Sequence, residues 1–205
     1  MSDALDHDGL TRCSWADFTG DRWATDDSVL YRTYHDTEWG QPLHGDRELF
    51  ERMTLEAFQS GLSWLIILRK RDHFRRAFRR FEADQVARFG SDDVERLMAD
   101  AGIVRNRAKI EATIANARAV ADLDVGLSEL LWSFAPAPRP RPDTMAEVPA
   151  VTPESTAMAK ELKRRGFKFV GPTTAYALMQ ATGMVDDHVA SCWVRTGTGS
   201  GELGA

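Results

Sequence analysis

The stretch LKRRGFKFVGPTTAYALMQATG, residues 162–183, closes a basic helix, passes two glycines and opens an apolar helix. Gly166 and Gly171 flank the short apolar segment 167–170, and glycine lets a chain turn tightly and lets another backbone approach. Pro172 and Thr173 then suit the first turn of a new helix, where a missing N–H costs nothing. A helix, a glycine-flanked hairpin and a second helix are expected. The free amides and the dipole at the second helix's start can hold an anion such as phosphate. Lys163, Arg164, Arg165 and Lys168 supply positive charge beside it, and Gly171 leaves room for close contact. An ordinary helical corner with a glycine cap would use the same residues.

Outward from this stretch the signals stay helical. VTPESTAMAKELKRRGF offers Thr152 as N-cap and Pro153 at the first helical position. DRELFERMTLEAFQSGLSWLIIL, residues 46–68, has Asp46 as an N-cap, apolar residues at helical spacing and a break at Gly61. SDDVERLMADAGI begins with Ser91 and Asp92 as capping candidates, with Glu95 in the first turn, and ends near Gly102. NRAKIEATIANARAVADL, residues 106–123, is alanine-rich and suits close packing, and LSELLWSFAP gives a further short helix. APAPRPRPD, residues 135–143, reads as an extended connection. No alternating strand pattern stands out, so the fold class is all-α. The expected organisation is a tail over 1–11, one domain of two helical subdomains over 12–194, and a second tail over 195–205.

With 205 residues, 43% hydrophobic and 28% charged, the chain has the composition of a globular protein. It lacks an apolar run of the roughly 20 residues that span a bilayer. The acidic opening MSDALDHDGLTR lacks the order of a signal peptide, so a cytoplasmic, reducing location is expected. The net charge of -5 hides local patches: RKRDHFRRAFRR, residues 69–80, holds seven basic residues against one acid. Such a run is either a solvated helix face or a phosphate-binding patch.

The two cysteines, Cys13 and Cys192, stand near opposite ends. In DHVASC, residues 187–192, His188 precedes Cys192 by one helical turn, which places both side chains on one face. Cys13 and His35, the latter in YHDTEWG, could complete a Cys₂His₂ set. Four ligands leave no open position, so such a site is structural and ties the chain ends together. Two unrelated thiols and a core histidine remain the alternative.

Several segments taken together resemble the 3-methyladenine DNA glycosylase I family: RCSW, YRTYHDTEWG, LFERMTLEAFQSGLSW, DAGIVRNRAKIEATIANARA, LWSF, LKRRGFKFVGPTTAYALMQATG and VDDHVASC. They occur in the family's order over about residues 12–192. The resemblance implies a helix–hairpin–helix glycosylase with a structural zinc ion held by Cys13, His35, His188 and Cys192. It implies DNA repair by excision of 3-methyladenine from alkylated double-stranded DNA without strand cleavage; a monomer is expected separately, since no large exposed apolar stripe argues against one. Glu56 falls on the family's base pocket as its catalytic carboxylate, with Trp15, Tyr31, Tyr34 and Trp64 as aromatic walls. One departure stands out: ADFTGDRWATD, between Cys13 and His35, is longer than the family's usual connection.

Methylation at N3 makes adenine cationic and weakens its glycosidic bond, so selectivity must come from the pocket. Aromatic faces attract a flipped cation, and Glu56 can accept from its exocyclic amine and offset its charge. Leu62, in the glycine-bearing turn QSGLSW, could enter the gap left by the flipped nucleotide. Asp186 stands where the wider helix–hairpin–helix superfamily carries a catalytic aspartate. It could assist the attack on the sugar or merely cap a turn. A module that binds alkylated or distorted DNA without cutting is the alternative function, separable by release of free base. A zinc hydrolase is disfavoured by the closed ligand set.

Overall fold

The computed structural model describes residues 8–18 and 25–196. The expected tails therefore lie outside the described residues except for 8–11 and 195–196, and so does the centre of the long connection, 19–24. Nine α-helices and no strand occur among the described residues. The chain divides into two compact units.

One unit gathers residues up to Pro42, Pro136–Pro149 and Gln180 onward. Its described helix is α1 (Asp26–Thr37), opened by Thr25, whose hydroxyl accepts from the Ser28 amide. The remainder is irregular and held by polar contacts. Ala190 donates its amide to the Pro142 carbonyl, and Trp193 donates to Thr11.

The other unit comprises Leu43–Ala135 and Ala150–Met179. It holds α2 (Asp46–Gln59), α3 (Trp64–Ala77), α4 (Ala83–Val86), α5 (Ser91–Ala99), α6 (Arg107–Ala121), α7 (Leu127–Trp132) and α8 (Pro153–Arg164). It also holds most of α9 (Pro172–Ala181). Its core is a run of phenylalanines. Phe58 meets Phe74 at 4.8 Å, Phe74 stacks on Phe78 at 6.2 Å, and Phe78 stacks on Phe81 at 5.7 Å. Ring pairs at such separations add to the burial of their area.

The basic run 69–80 does not form one helix. It ends as α3 at Ala77, and Arg79, Arg80 and Phe81 follow with φ of 53°, 55° and 58°. Left-handed backbone costs a side-chain-bearing residue roughly 1–2 kcal/mol. Burial of the Phe81 ring against Phe78 and Phe50 offsets that cost and fixes the reversal.

Caps follow the sequence where the partner is local. Thr152 Oγ1 accepts from the Ser155 amide, and Asn106 Oδ1 accepts from the Lys109 amide. Asp46 departs from expectation. Gly45 takes the N-cap position of α2, and the Asp46 carboxylate instead accepts from the Leu127 and Ser128 amides at 3.2 and 2.8 Å. It caps α7, whose own N-cap Gly126 has no side chain to offer. Gly90 precedes α5, and Asp93 rather than Glu95 reaches back to its amide.

Asp46→Ala is therefore expected to lower the unfolding free energy by about 1 kcal/mol in urea titration. Asp46→Asn, which keeps an acceptor, should lose less than half as much.

Candidate functional site

Four ligand atoms from Cys13, His35, His188 and Cys192 lie within 4.8 Å of one another, and all four residues are buried. Cys192 Sγ stands 3.4 Å from His188 Nδ1 and 3.6 Å from His35 Nε2; Cys13 Sγ stands 3.6 Å from His188 Nδ1. A tetrahedral ion with bonds of about 2.0 Å to nitrogen and 2.3 Å to sulfur needs N–S edges of about 3.6 Å. The observed edges fit, so the cluster can hold a metal ion.

The other imidazole nitrogens are already engaged. His35 Nδ1 meets Asp36 Oδ1 at 2.7 Å, and Arg12 donates to the same carboxylate. His188 Nε2 meets the Trp39 carbonyl at 3.1 Å. With a proton on each of these nitrogens, His35 Nε2 and His188 Nδ1 present lone pairs to the cluster. Gly40 has φ +79°, and a Cβ there would stand 3.0 Å from His188 Nε2, so the turn after Trp39 can approach the imidazole only as glycine. Without a metal the thiols act on each other. Hydrogen bonding from Cys13, ahead of those from the histidines, pulls Cys192 down, while sharing with Cys192 and burial push Cys13 up. One proton held between two sulfurs is what a bound cation would displace.

Asp186 braces this site. Its carboxylate accepts from the His188 amide, from Arg141 Nε at 2.8 Å and from the Thr196 hydroxyl at 2.7 Å. Both oxygens are spent on holding the turn that carries His188, in keeping with the cap. Asp187 is buried and accepts from Arg139 and Gln180. The arginines of the proline-rich connection are thus structural partners.

Three of the expected aromatic walls gather in this unit. The Trp15 ring lies 5.6 Å from Tyr31 and 6.4 Å from Tyr34, and also contacts His35 and Trp39 at 5.0 and 5.2 Å. Trp39, which sequence reasoning passed over, packs on His188 at 4.6 Å. Its place in YHDTEWG, next to the ligand, was the available signal.

Glu56 and Trp64 belong to the other unit. Glu56 is only 6% exposed on α2, and it accepts no hydrogen bond among the described residues. It faces a hollow of about 490 Å³ bordered by the loop residues Ser60, Gly61 and Leu62 and by Thr173, Thr174 and Ala177 of α9. Burial pushes its pKa up to about 7 against the opposing charge of Arg52. Trp64 begins α3 just beyond the loop and is not among the lining residues; the Arg52 guanidinium lies 5.8 Å from its ring. Gly61 has φ +83°, and Leu62 is 37% exposed at the loop's tip.

The hairpin has the expected form. The α8 helix ends with Arg165 as its cap, Phe167 and Val170 are buried, and Gly171 precedes α9. Not all of its expected cations stand free. Glu161 pairs with Arg164 and Arg165, and Arg165 also reaches Asp124. Glu161 is held down to about 2 by these two guanidiniums. Lys163 and Lys168 are exposed, with no side-chain partner among the described residues. Phe169, between Lys168 and Val170, has φ 57° and is 47% exposed. Nothing in the sequence marks that conformation.

A family model described as methyladenine glycosylase matches residues 23–196. The DNA-3-methyladenine glycosylase 1 of Escherichia coli (strain K12) is 45% identical over 191 residues, covering 89% of this chain and 96% of that protein. A crystal structure of 3-methyladenine DNA glycosylase I superposes with a TM-score of 0.81 at 41% identity, covering 89% and 98% of the two chains. A structure from Staphylococcus aureus, which concerns 3-methyladenine recognition by the corresponding glycosylase, gives 0.78 at 35% identity, covering 83% and 93%.

Metal removal tests the cluster. Purified protein should carry one metal ion per chain, and stripping it with a chelator should lower the melting temperature by about 5 °C or more. Cys192→Ala should abolish stoichiometric metal and lower the melting temperature as far. Unchanged melting in both would show that the four residues hold no ion.

Proposed function

The chain belongs to the methyladenine glycosylase family, and from that premise we propose that it excises 3-methyladenine from alkylated DNA. The single observation that carries this reading is Glu56, a buried carboxyl group without a hydrogen-bond donor among the described residues that faces a hollow with room for a purine. A buried anion is costly, so the group tends to stay protonated when the hollow holds no cation. A base made cationic by N3-methylation supplies the missing charge and an exocyclic amine to donate. Neutral adenine supplies no charge, and the desolvation of Glu56 then goes uncompensated. Selectivity thus rests on a difference between binding partners rather than on strong binding of either.

The reaction is hydrolysis of the N-glycosidic bond. The C1′–N9 electron pair leaves with the base and neutralises it, water adds to C1′, and its proton passes to solvent. The phosphodiester chain is untouched. Because the leaving group arrives already charged, little acid catalysis is needed. Glu56 acts by holding the cation in place, and the flipped base stacks on an aromatic face, for which Trp64 at the start of α3 is the candidate within the same unit. Leu62 fills the vacated position in the duplex. The hairpin holds phosphate through the first amides of α9, beside Gly171, with Lys163 and Lys168 as its free cations. Arg164 and Arg165 keep their acidic partners and add less than their formal charge.

The Cys13, His35, His188 and Cys192 set suits zinc, which favours four tetrahedral N and S ligands. Its role is structural, since no ligand position remains for water. The substrate is double-stranded DNA, the acting form is a monomer, and the place of action is the cytoplasm. Among the described residues no helix is long and apolar enough to cross a membrane.

The decisive assay is release of free 3-methyladenine from methylated duplex DNA. Glu56→Ala should slow release by about tenfold or more, the loss expected for a charge-assisted contact. Release at the native rate would remove Glu56 from the pocket.

The raised pKa of Glu56 also fixes a sign. In the ligand-free protein its stabilising contribution is complete below the ordinary value of 4.5 and is lost as pH rises through about 7. Excision needs the ionised form, so kcat/KM, which reports the ligand-free protein, should fall as pH drops below about 7. Glu56→Gln should flatten both profiles, as read by thermal melting and kcat/KM.

A further inference from the structure

Both loops given a role on DNA above lack secondary structure of their own, yet each is fastened to α6 by a buried polar side chain. Lys109 is 8% exposed, and its ammonium donates to the Phe58 carbonyl at 2.9 Å and to the Ser60 carbonyl at 2.7 Å. Asn116 is 2% exposed. Its Nδ2 donates to the Lys168 carbonyl at 3.0 Å, and its Oδ1 accepts from the Lys168 amide at 2.7 Å.

We infer that Lys109 and Asn116 are positioning residues for the excision reaction, with α6 setting the spacing between the Leu62 loop and the DNA-binding hairpin. The inference rests on the proposed glycosylase function and deepens it.

The geometry argues for a purpose beyond plain burial. Burying a lysine is unfavourable, and desolvation lowers its pKa here with no acidic partner to oppose it. The ammonium instead meets carbonyls at the end of α2, the negative end of a helix, and holds the first residues of the loop that borders the hollow. Asn116 pairs with both polar groups of a single hairpin residue, as a neighbouring strand would. It does so immediately before Phe169, whose left-handed backbone needs an external restraint. The two side chains stand seven positions apart and so share one face of α6, about 10 Å apart along its axis. A rigid helix thereby holds the element that fills the duplex and the element that grips phosphate at fixed separation. Misplacement by about 1 Å costs an enzyme up to 10²-fold, which is why such a spacer matters.

The two clamps should fail differently. Lys109→Met keeps the aliphatic stem and removes the donor. It should slow single-turnover release of 3-methyladenine from methylated duplex by about tenfold, with the half-saturating DNA concentration within about twofold of native. Asn116→Leu should raise the half-saturating concentration by about tenfold and leave the saturating rate within about twofold. Hydrogen exchange measured on the full-length variants gives an independent reading: Lys109→Met should speed exchange at Gly61 and Leu62 but not at 167–170, and Asn116→Leu the reverse. Equal losses of rate and affinity in both variants, or faster exchange in both loops from either change, would reduce the pair to general stabilisers and overturn the inference. So would native behaviour in both. If Lys109→Met does not fold, Lys109→Gln, which keeps one donor, should show the same pattern in weaker form, and its absence counts against the inference equally. A native protein that releases no base would overturn the proposed function instead, since loop exchange does not depend on catalysis.

Discussion

Two thiols and two imidazoles packed within 4.8 Å of one another, away from water, form the constraint on which the terminal unit depends. That unit has one helix lying wholly within it among the described residues, and its chain is drawn from three distant parts of the sequence. Hydrophobic burial alone gives such a patchwork little to work with. The contacts around the four side chains are polar and directional instead. Arg12 holds Asp36, Asp36 orients His35, Arg141 and Thr196 hold Asp186, and Asp186 fixes the His188 turn. A shared cation would complete this arrangement by satisfying the remaining lone pairs at once.

The helical unit solves a different problem with the same chemistry. It keeps one carboxyl group, Glu56, buried with no hydrogen bond among the described residues, while three other polar side chains of the unit are matched over long sequence distances. Lys109 donates to two carbonyls, Asn116 both donates to and accepts from the Lys168 backbone, and Asp46 accepts from two amides of α7. The contrast isolates Glu56 as the group left waiting for a partner. Its raised pKa is the energetic trace of that isolation, because a group with a donor at hand would ionise readily. Arg52, one turn earlier on α2, moderates the cost without neutralising it.

How much of this could be read from the residues depended on the distance over which each acts. Thr152 and Asn106 were legible as caps, or as the start of a helix, because their partners lie three residues away. The same reasoning misplaced Asp46: its carboxylate has the right chemistry, but its partners lie 81 and 82 positions on. The all-α class and the hairpin followed from local pattern. That Cys13, His35, His188 and Cys192 come together followed from thiol and imidazole chemistry and from the family resemblance, not from spacing alone. Lys109 and Asn116 escaped notice because lysine and asparagine in a helix ordinarily face water. The pairing of Arg165 with Asp124 escaped for the same reason as Asp46, and the left-handed turn at Arg79–Phe81 because no glycine announces it.

The interleaving of the terminal unit bears on how the protein is made. Contacts in the cluster join residues 175 and 157 positions apart, Cys13 to His188 and His35 to Cys192. On the ribosome, Cys13 and His35 must wait through those intervals of translation before their companions appear. During that interval a lone thiol and imidazole are open to oxidants and to stray ions, whereas the helical unit can begin to condense around its phenylalanines. Cellular redox state therefore bears on these thiols chiefly while the chain is being made, and little once the cluster has closed over them.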